Sequence, residues 1–127
     1  MQQMIWIAAG AIFGANARYL VGQWAARTLG TGFPYGTLIV NIAGSFLLGL
    51  IVILTTERLA VSTEVRLMLT VGFLGAFTTF SSFSVETLFL LRDGSLGLAL
   101  ANVLANNAVG LLAAYTGVLA ARWLASL

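Results

Sequence analysis

Hydrophobic residues run along this chain in four long blocks, interrupted only where charged and turn-forming residues gather. The blocks cover about residues 4–26, 36–56, 64–91 and 95–123, and each matches or exceeds the roughly 20 residues that an α-helix needs to cross a bilayer. The linkers are short. Arg27 to Tyr35 holds the only proline, Pro34; Glu57 to Thr63 carries mixed charge; Arg92, Asp93 and Gly94 form a tight turn. Short linkers make consecutive helices antiparallel neighbours. The pattern predicts an all-α integral membrane protein, a single transmembrane domain over residues 1–127 with four transmembrane helices. The first block lacks a basic leader and reads as a retained span rather than a cleaved signal.

One stretch breaks the apolar pattern. Gly72-Phe73-Leu74-Gly75-Ala76-Phe77-Thr78-Thr79-Phe80-Ser81-Ser82-Phe83-Ser84 lies inside the third block, yet it combines two glycines with a dense run of hydroxyls and phenylalanines. Lipid tails cannot hydrogen-bond hydroxyls or an interrupted backbone, so the stretch must face protein, water or an ion. Gly72 and Gly75 weaken the helix and admit another backbone. They predict a break near the middle of the third span, at the membrane midplane. A broken helix presents carbonyls from its first half and amides from its second, the former suited to a cation and the latter to an anion. Phe80 and Phe83, three apart, share a face of the second half. Thr79, Ser82 and Glu86 share another. A glycine-kinked helix packed on its neighbour is the plainer alternative.

The other spans carry few polar groups. In the first, Gly10, Gly14, Arg18 and Gly22 follow one another at four-residue spacing, so three glycines form a helix-packing stripe. Arg18 has two readings: its guanidinium snorkels to the interface, or it lines an anion-attracting vestibule. In the second, Asn41 and Ser45 share a face; the Asn41 amide either bonds another helix or donates hydrogen bonds to an anion. Asn102 and Asn106, spaced by four in the last span, need something polar to line, and Asn107 falls off their stripe. Trp6, Trp24 and Trp123 lie near span ends, where indoles anchor at the interface.

Composition removes whole classes of function. Sixty per cent of the residues are hydrophobic and eight per cent charged, against about 25% charged in soluble domains. A formal charge of +2, scattered, gives no nucleic-acid surface. Histidine and cysteine are absent, and no carboxylate pair or phosphate loop is present, so an enzyme is not expected. Arg58, Arg66 and Arg122 would lie on one side of the membrane and Arg27 and Arg92 on the other, which is almost no topological bias. A chain that inserts both ways and dimerises antiparallel supplies its own inverted repeat, with the two-fold axis near the break. A parallel dimer stays open. If Gly75 and Thr78 each present a carbonyl there, two copies make an oxygen cage for a hard monovalent cation.

The stretch Gly72 to Ser84, continued by Val85-Glu86-Thr87, resembles the signature of the small bacterial fluoride channels, the Fluc (CrcB) family. The likeness extends to Gly14-Ala15-Asn16-Ala17-Arg18-Tyr19 and to Pro34-Tyr35-Gly36-Thr37-Leu38-Ile39-Val40-Asn41. The resemblance implies a fluoride-selective channel of the bacterial inner membrane that exports cytoplasmic fluoride passively, built as an antiparallel dual-topology homodimer. It implies a pore asparagine at Asn41 and paired pore phenylalanines at Phe80 and Phe83. With these go Thr79, Ser82, Asn102, Asn106 and Arg18 along the ion path. It also implies a structural sodium ion, not transported, held by backbone oxygens of Gly75 and Thr78. The alternative is a dual-topology, proton-coupled exporter of the small multidrug resistance type, but that class depends on a glutamate in the first span, where this chain has Arg18 and no acid.

Overall fold

In the computed structural model, which describes residues 1–127, the hydrophobic blocks become four long helical spans. Helix α1 is Gln2–Leu29 and α2 is Tyr35–Glu57. The third span, Thr63–Arg92, consists of two half-helices, α3 (residues 63–77) and α4 (Phe80–Arg92), and α5 is Leu96–Ser126. The helices run a few residues past the hydrophobic blocks because their ends are finished locally. Pro34 precedes α2, where its missing amide costs nothing. The Ser62 hydroxyl accepts the Val65 amide at 3.3 Å to cap α3. Gly30 and Gly94 take positive φ angles of 87° and 76° in the linkers.

Only 16 of the 127 residues are buried, while large apolar side chains such as Ile12, Phe13, Leu111 and Leu112 point outward. That inverts the pattern of a water-soluble fold and suits helices solvated by lipid. All four spans are long and apolar enough to cross a bilayer. The small interior centres on Val40, Leu74 and Phe77, flanked by Ala17, Val21, Ala43, Leu47, Ile51 and Phe73.

Close backbone approach substitutes for a larger core. Helix α1 lies along α3, where a Cβ on Gly10 would meet the Phe73 amide nitrogen at 2.8 Å and one on Gly72 would meet the Ile7 carbonyl at 2.5 Å. Glycines from both helices therefore interlock, as expected of small residues at membrane helix contacts. Helix α2 runs along the second half of α5 in the same manner, through Gly49 and Gly117. Gly22 departs from the expected stripe, since its own Cβ would meet nothing.

The break is real, but the glycines do not make it. Gly72 and Gly75 stay helical, Gly72 within a π-helical segment spanning Met68–Leu74, and the chain extends three residues later, at Thr78 (φ −85°, ψ 160°) and Thr79 (φ −153°, ψ 115°). Gly72 provides close contact with α1, while Gly75 is exposed; the break has another cause, described below. It separates half-helices of comparable length, and the span changes partners there. Before it, α3 packs on α1; after it, α4 packs on α5. A second π segment, Ala105–Val109, interrupts α5.

Candidate functional site: a polar cavity at the helix break

The break is made by one side chain from another helix. Asn41 of α2 offers its Oδ1 to the Thr79 amide at 2.8 Å, and its Nδ2 donates to the Thr79 carbonyl at 3.1 Å. Both main-chain polar groups of one residue are thereby taken out of the helical ladder and satisfied by a side-chain amide. Thr79 then caps α4: its hydroxyl accepts the Ser82 amide at 3.2 Å and donates to Ser82 Oγ at 3.0 Å.

The break leaves the carbonyls of Gly75, Ala76, Phe77 and Thr78 without their usual helical partners. The amide that would reach Gly75 O is that of Thr79, which goes to Asn41, and the amide that would reach Thr78 O is that of Ser82, which goes to Thr79 Oγ1. The Arg18 guanidinium approaches Thr78 O at 3.4 Å, so a cationic group already rests at one of them. Gly75 is exposed and Thr78 half-buried, so their backbone lies at the surface of the single chain.

Beyond the break, a cavity of about 240 Å³ opens beside the first turn of α4. Its lining includes Asn41, Ser45, Thr78, Thr79, Phe80, Phe83 and Asn106. The Phe80 and Phe83 rings stand 5.4 Å apart and tilted by 55°, neighbours as their spacing required. They are not equivalent: Phe83 is buried and Phe80 is 77% exposed. The helix N-terminus adds the positive end of its dipole to this wall. The positive end of α4 borders the cavity, and the freed carbonyls lie at the end of α3, an arrangement suited to an anion at the first and a cation at the second.

The remaining expected residues divide. Ser82 is half-buried behind the Thr79 cap. Asn106 donates to the Asn102 carbonyl and to Asn102 Oδ1, at 3.0 and 2.9 Å, and accepts from Asn41 at 2.9 Å. Asn102 is fully buried and lies outside the cavity lining. Asn107, which helical spacing puts off the stripe, does line the cavity. The wider π turn at Ala105–Val109 alters the register there, and no count at 3.6 residues per turn could have found it. Glu86 accepts from the Thr37 hydroxyl at 2.8 Å, and its second oxygen is buried without a partner. It borders a separate vestibule of about 490 Å³ that Asp93, Thr37 and Ser95 also line.

Four apolar spans, one of them broken over a polar cavity, define a small multi-pass membrane protein of the ion-conduit kind. A family model described as "CrcB-like protein, Camphor Resistance (CrcB)" matches residues 5–118. The chain belongs to that family. It is similar to proteins named "Fluoride-specific ion channel FluC" from several sources. The one from Koribacter versatilis is 47% identical over 107 residues, 84% of this chain and 85% of the relative. The one from Magnetococcus marinus is 48% identical over 120 residues, 94% and 98% of the two chains. The one from Geobacter metallireducens is 48% identical over 124 residues, 95% and 100%.

Proposed function

We propose that this chain is a fluoride-selective channel that lets cytoplasmic fluoride leave the cell by passive electrodiffusion. The observation that carries the reading is the broken third span, with donors and paired phenylalanine rings gathered at the start of α4. Fluoride is small and tightly hydrated, so a selective path replaces its water with close, weakly binding positive groups. Hydroxyls such as that of Ser45, which lines the cavity, supply some. The hydrogen-bearing edges of Phe80 and Phe83 supply others, positive without being deep wells. The near-complete coverage of relatives named as fluoride-specific channels supports the same reading.

The working unit in this proposal is an antiparallel, dual-topology homodimer embedded in lipid. The exposure of Gly75 and of Phe80 in the single chain supports a partner at the break. A sodium ion would sit on the two-fold axis, held by the Gly75 and Thr78 carbonyls of both copies. The residues fit such an ion: these two carbonyls lack their helical donors, and no cluster of acidic side chains is present to favour a divalent metal. Its contribution is charge balance and assembly.

The test is anion efflux from proteoliposomes loaded with fluoride or chloride, with valinomycin added to release the potential. Rapid fluoride efflux with negligible chloride efflux is expected. Equal release of both, or release only with a proton gradient and an organic cation as cargo, would replace this reading with a non-selective pore or an exporter.

A further inference from the structure

Three asparagine amides, each free in principle to point either way, form a continuous hydrogen-bonded chain. It leaves α4 at Thr87, crosses to α5 at Asn102, runs to Asn106, crosses to α2 at Asn41, and returns to the start of α4 at Thr79. Its direction is set at both ends. The Thr87 hydroxyl spends its one proton on the Phe83 carbonyl at 2.8 Å, so toward Asn102 it can only accept, which it does at 2.9 Å. Asn102 must therefore turn its nitrogen to Thr87 and its oxygen to Asn106. Asn106 must turn its nitrogen to Asn102 and its oxygen to Asn41. At the far end the Thr79 amide can only donate, which demands the Asn41 oxygen. Both ends require the same orientation of all three amides.

We propose that Thr87 and Asn102 are positioning residues of the conduit, fixing the orientation of Asn106 and Asn41 so that the Asn41 oxygen stays on the Thr79 amide and holds the break open beside the cavity. Neither lines the cavity, and Asn102 is wholly buried. Their effect is exerted through Asn106 and Asn41, which do line it. If Asn106 reversed, two donors would confront each other at Asn41 and acceptors would confront each other at Asn102, so Asn41 would lose its hold on Thr79. The relay therefore acts on the shape of the break and, through it, on the fluoride path. This rests on the fluoride reading for its consequence but not for its geometry.

The experiment uses the full-length protein in liposomes. Side-chain amide protons of Asn41, Asn102 and Asn106 in the unaltered protein, followed by NMR, should exchange slowly beside those of exposed Asn16 and Asn107. Thr87→Val removes the acceptor at nearly constant shape; the Thr79 amide should then exchange about tenfold faster and fluoride efflux fall about tenfold. Thr87→Ser restores the acceptor and should bring both back to within about twofold of the parent. Rapid exchange of the three amides in the parent overturns the proposal, as does a Thr79 amide unaffected by Thr87→Val. So does a Thr87→Ser protein as impaired as Thr87→Val. The exchange measurements decide the relay even if the parent carries no fluoride, so failure of this proposal and failure of the channel reading are distinguishable.

Discussion

Replacing Asn41 by leucine tests whether the break is held open from α2. The change keeps side-chain bulk but removes three hydrogen bonds, two to the Thr79 main chain and one to Asn106. Thr79 is 8% exposed, so water does not readily replace them. A buried polar group left without a partner costs about 1–3 kcal/mol. The Thr79 amide and carbonyl together would set the loss at about 2–6 kcal/mol. Polar contacts between membrane helices sit at the weak end of such ranges, and lipid is as apolar as leucine, so no hydrophobic gain offsets the loss. The expected destabilisation is therefore about 2–3 kcal/mol. Unfolding in mixed micelles, with Asn107→Leu as control, measures it. Asn107 is exposed and bonds only the Val103 carbonyl of its own helix, so its variant should stay within about 0.5 kcal/mol of the parent. An Asn41→Leu protein as stable as that control, with unchanged fluoride flux, would refute the role given to Asn41.

Phe80→Ile should leave the fold of the single chain intact because the ring is exposed there, whereas Phe83→Ile should cost about 1 kcal/mol; both should lower fluoride efflux by up to about tenfold, with methionine better tolerated. Parent-like efflux from both isoleucine variants would make the pair mere packing. Thr78→Val loses a hydroxyl bond to the Leu74 carbonyl but keeps its own main-chain oxygen, so sodium-dependent thermal stabilisation should persist. Equal assembly and flux in sodium-free medium would argue against the ion. Gly14→Ala drives a methyl into the Phe73 carbonyl and should destabilise by about 1–3 kcal/mol, while Gly22→Ala, facing open space, should be neutral or slightly stabilising in the same unfolding assay. Single cysteines replacing Gln2 and Ala60 should each be labelled from both sides of the membrane; one-sided labelling of a working protein would end the dual-topology reading.

The spans were legible because lipid imposes one rule on every residue of a helix, and a count of apolar positions captures it. The polar stretch was legible for the converse reason: Thr78, Thr79, Ser81 and Ser82 cannot face hydrocarbon. The position of the break was not. Glycine lowers the cost of leaving a helix, but Gly72 is held helical by its contact with α1 and Gly75 stays in the ladder, and the backbone departs where Asn41, 38 residues away, supplies a better partner. Local sequence can record permission to break, not the distant group that takes it up. The burial of Asn102 and the cavity position of Asn107 were hidden likewise, since a π turn shifts the register on which any helical wheel depends.

The change of partners within the third span sorts the helices into two closely seated pairs. Helices α1 and α3 are interlocked through backbone contacts at Gly10, Gly14 and Gly72, which leave no side-chain layer to slide on. Helices α2 and α5 are seated as tightly at Gly49 and Gly117, and α4 is tethered to them through Thr37–Glu86 and Asn102–Thr87. Within the third span the two pairs are joined by two extended residues, Thr78 and Thr79, and across the bundle by the core that Val40 of α2 makes with Leu74 and Phe77 of α3. The residue that Asn41 grips thus sits at the seam between them, where a single side chain from one pair sets the backbone that links it to the other.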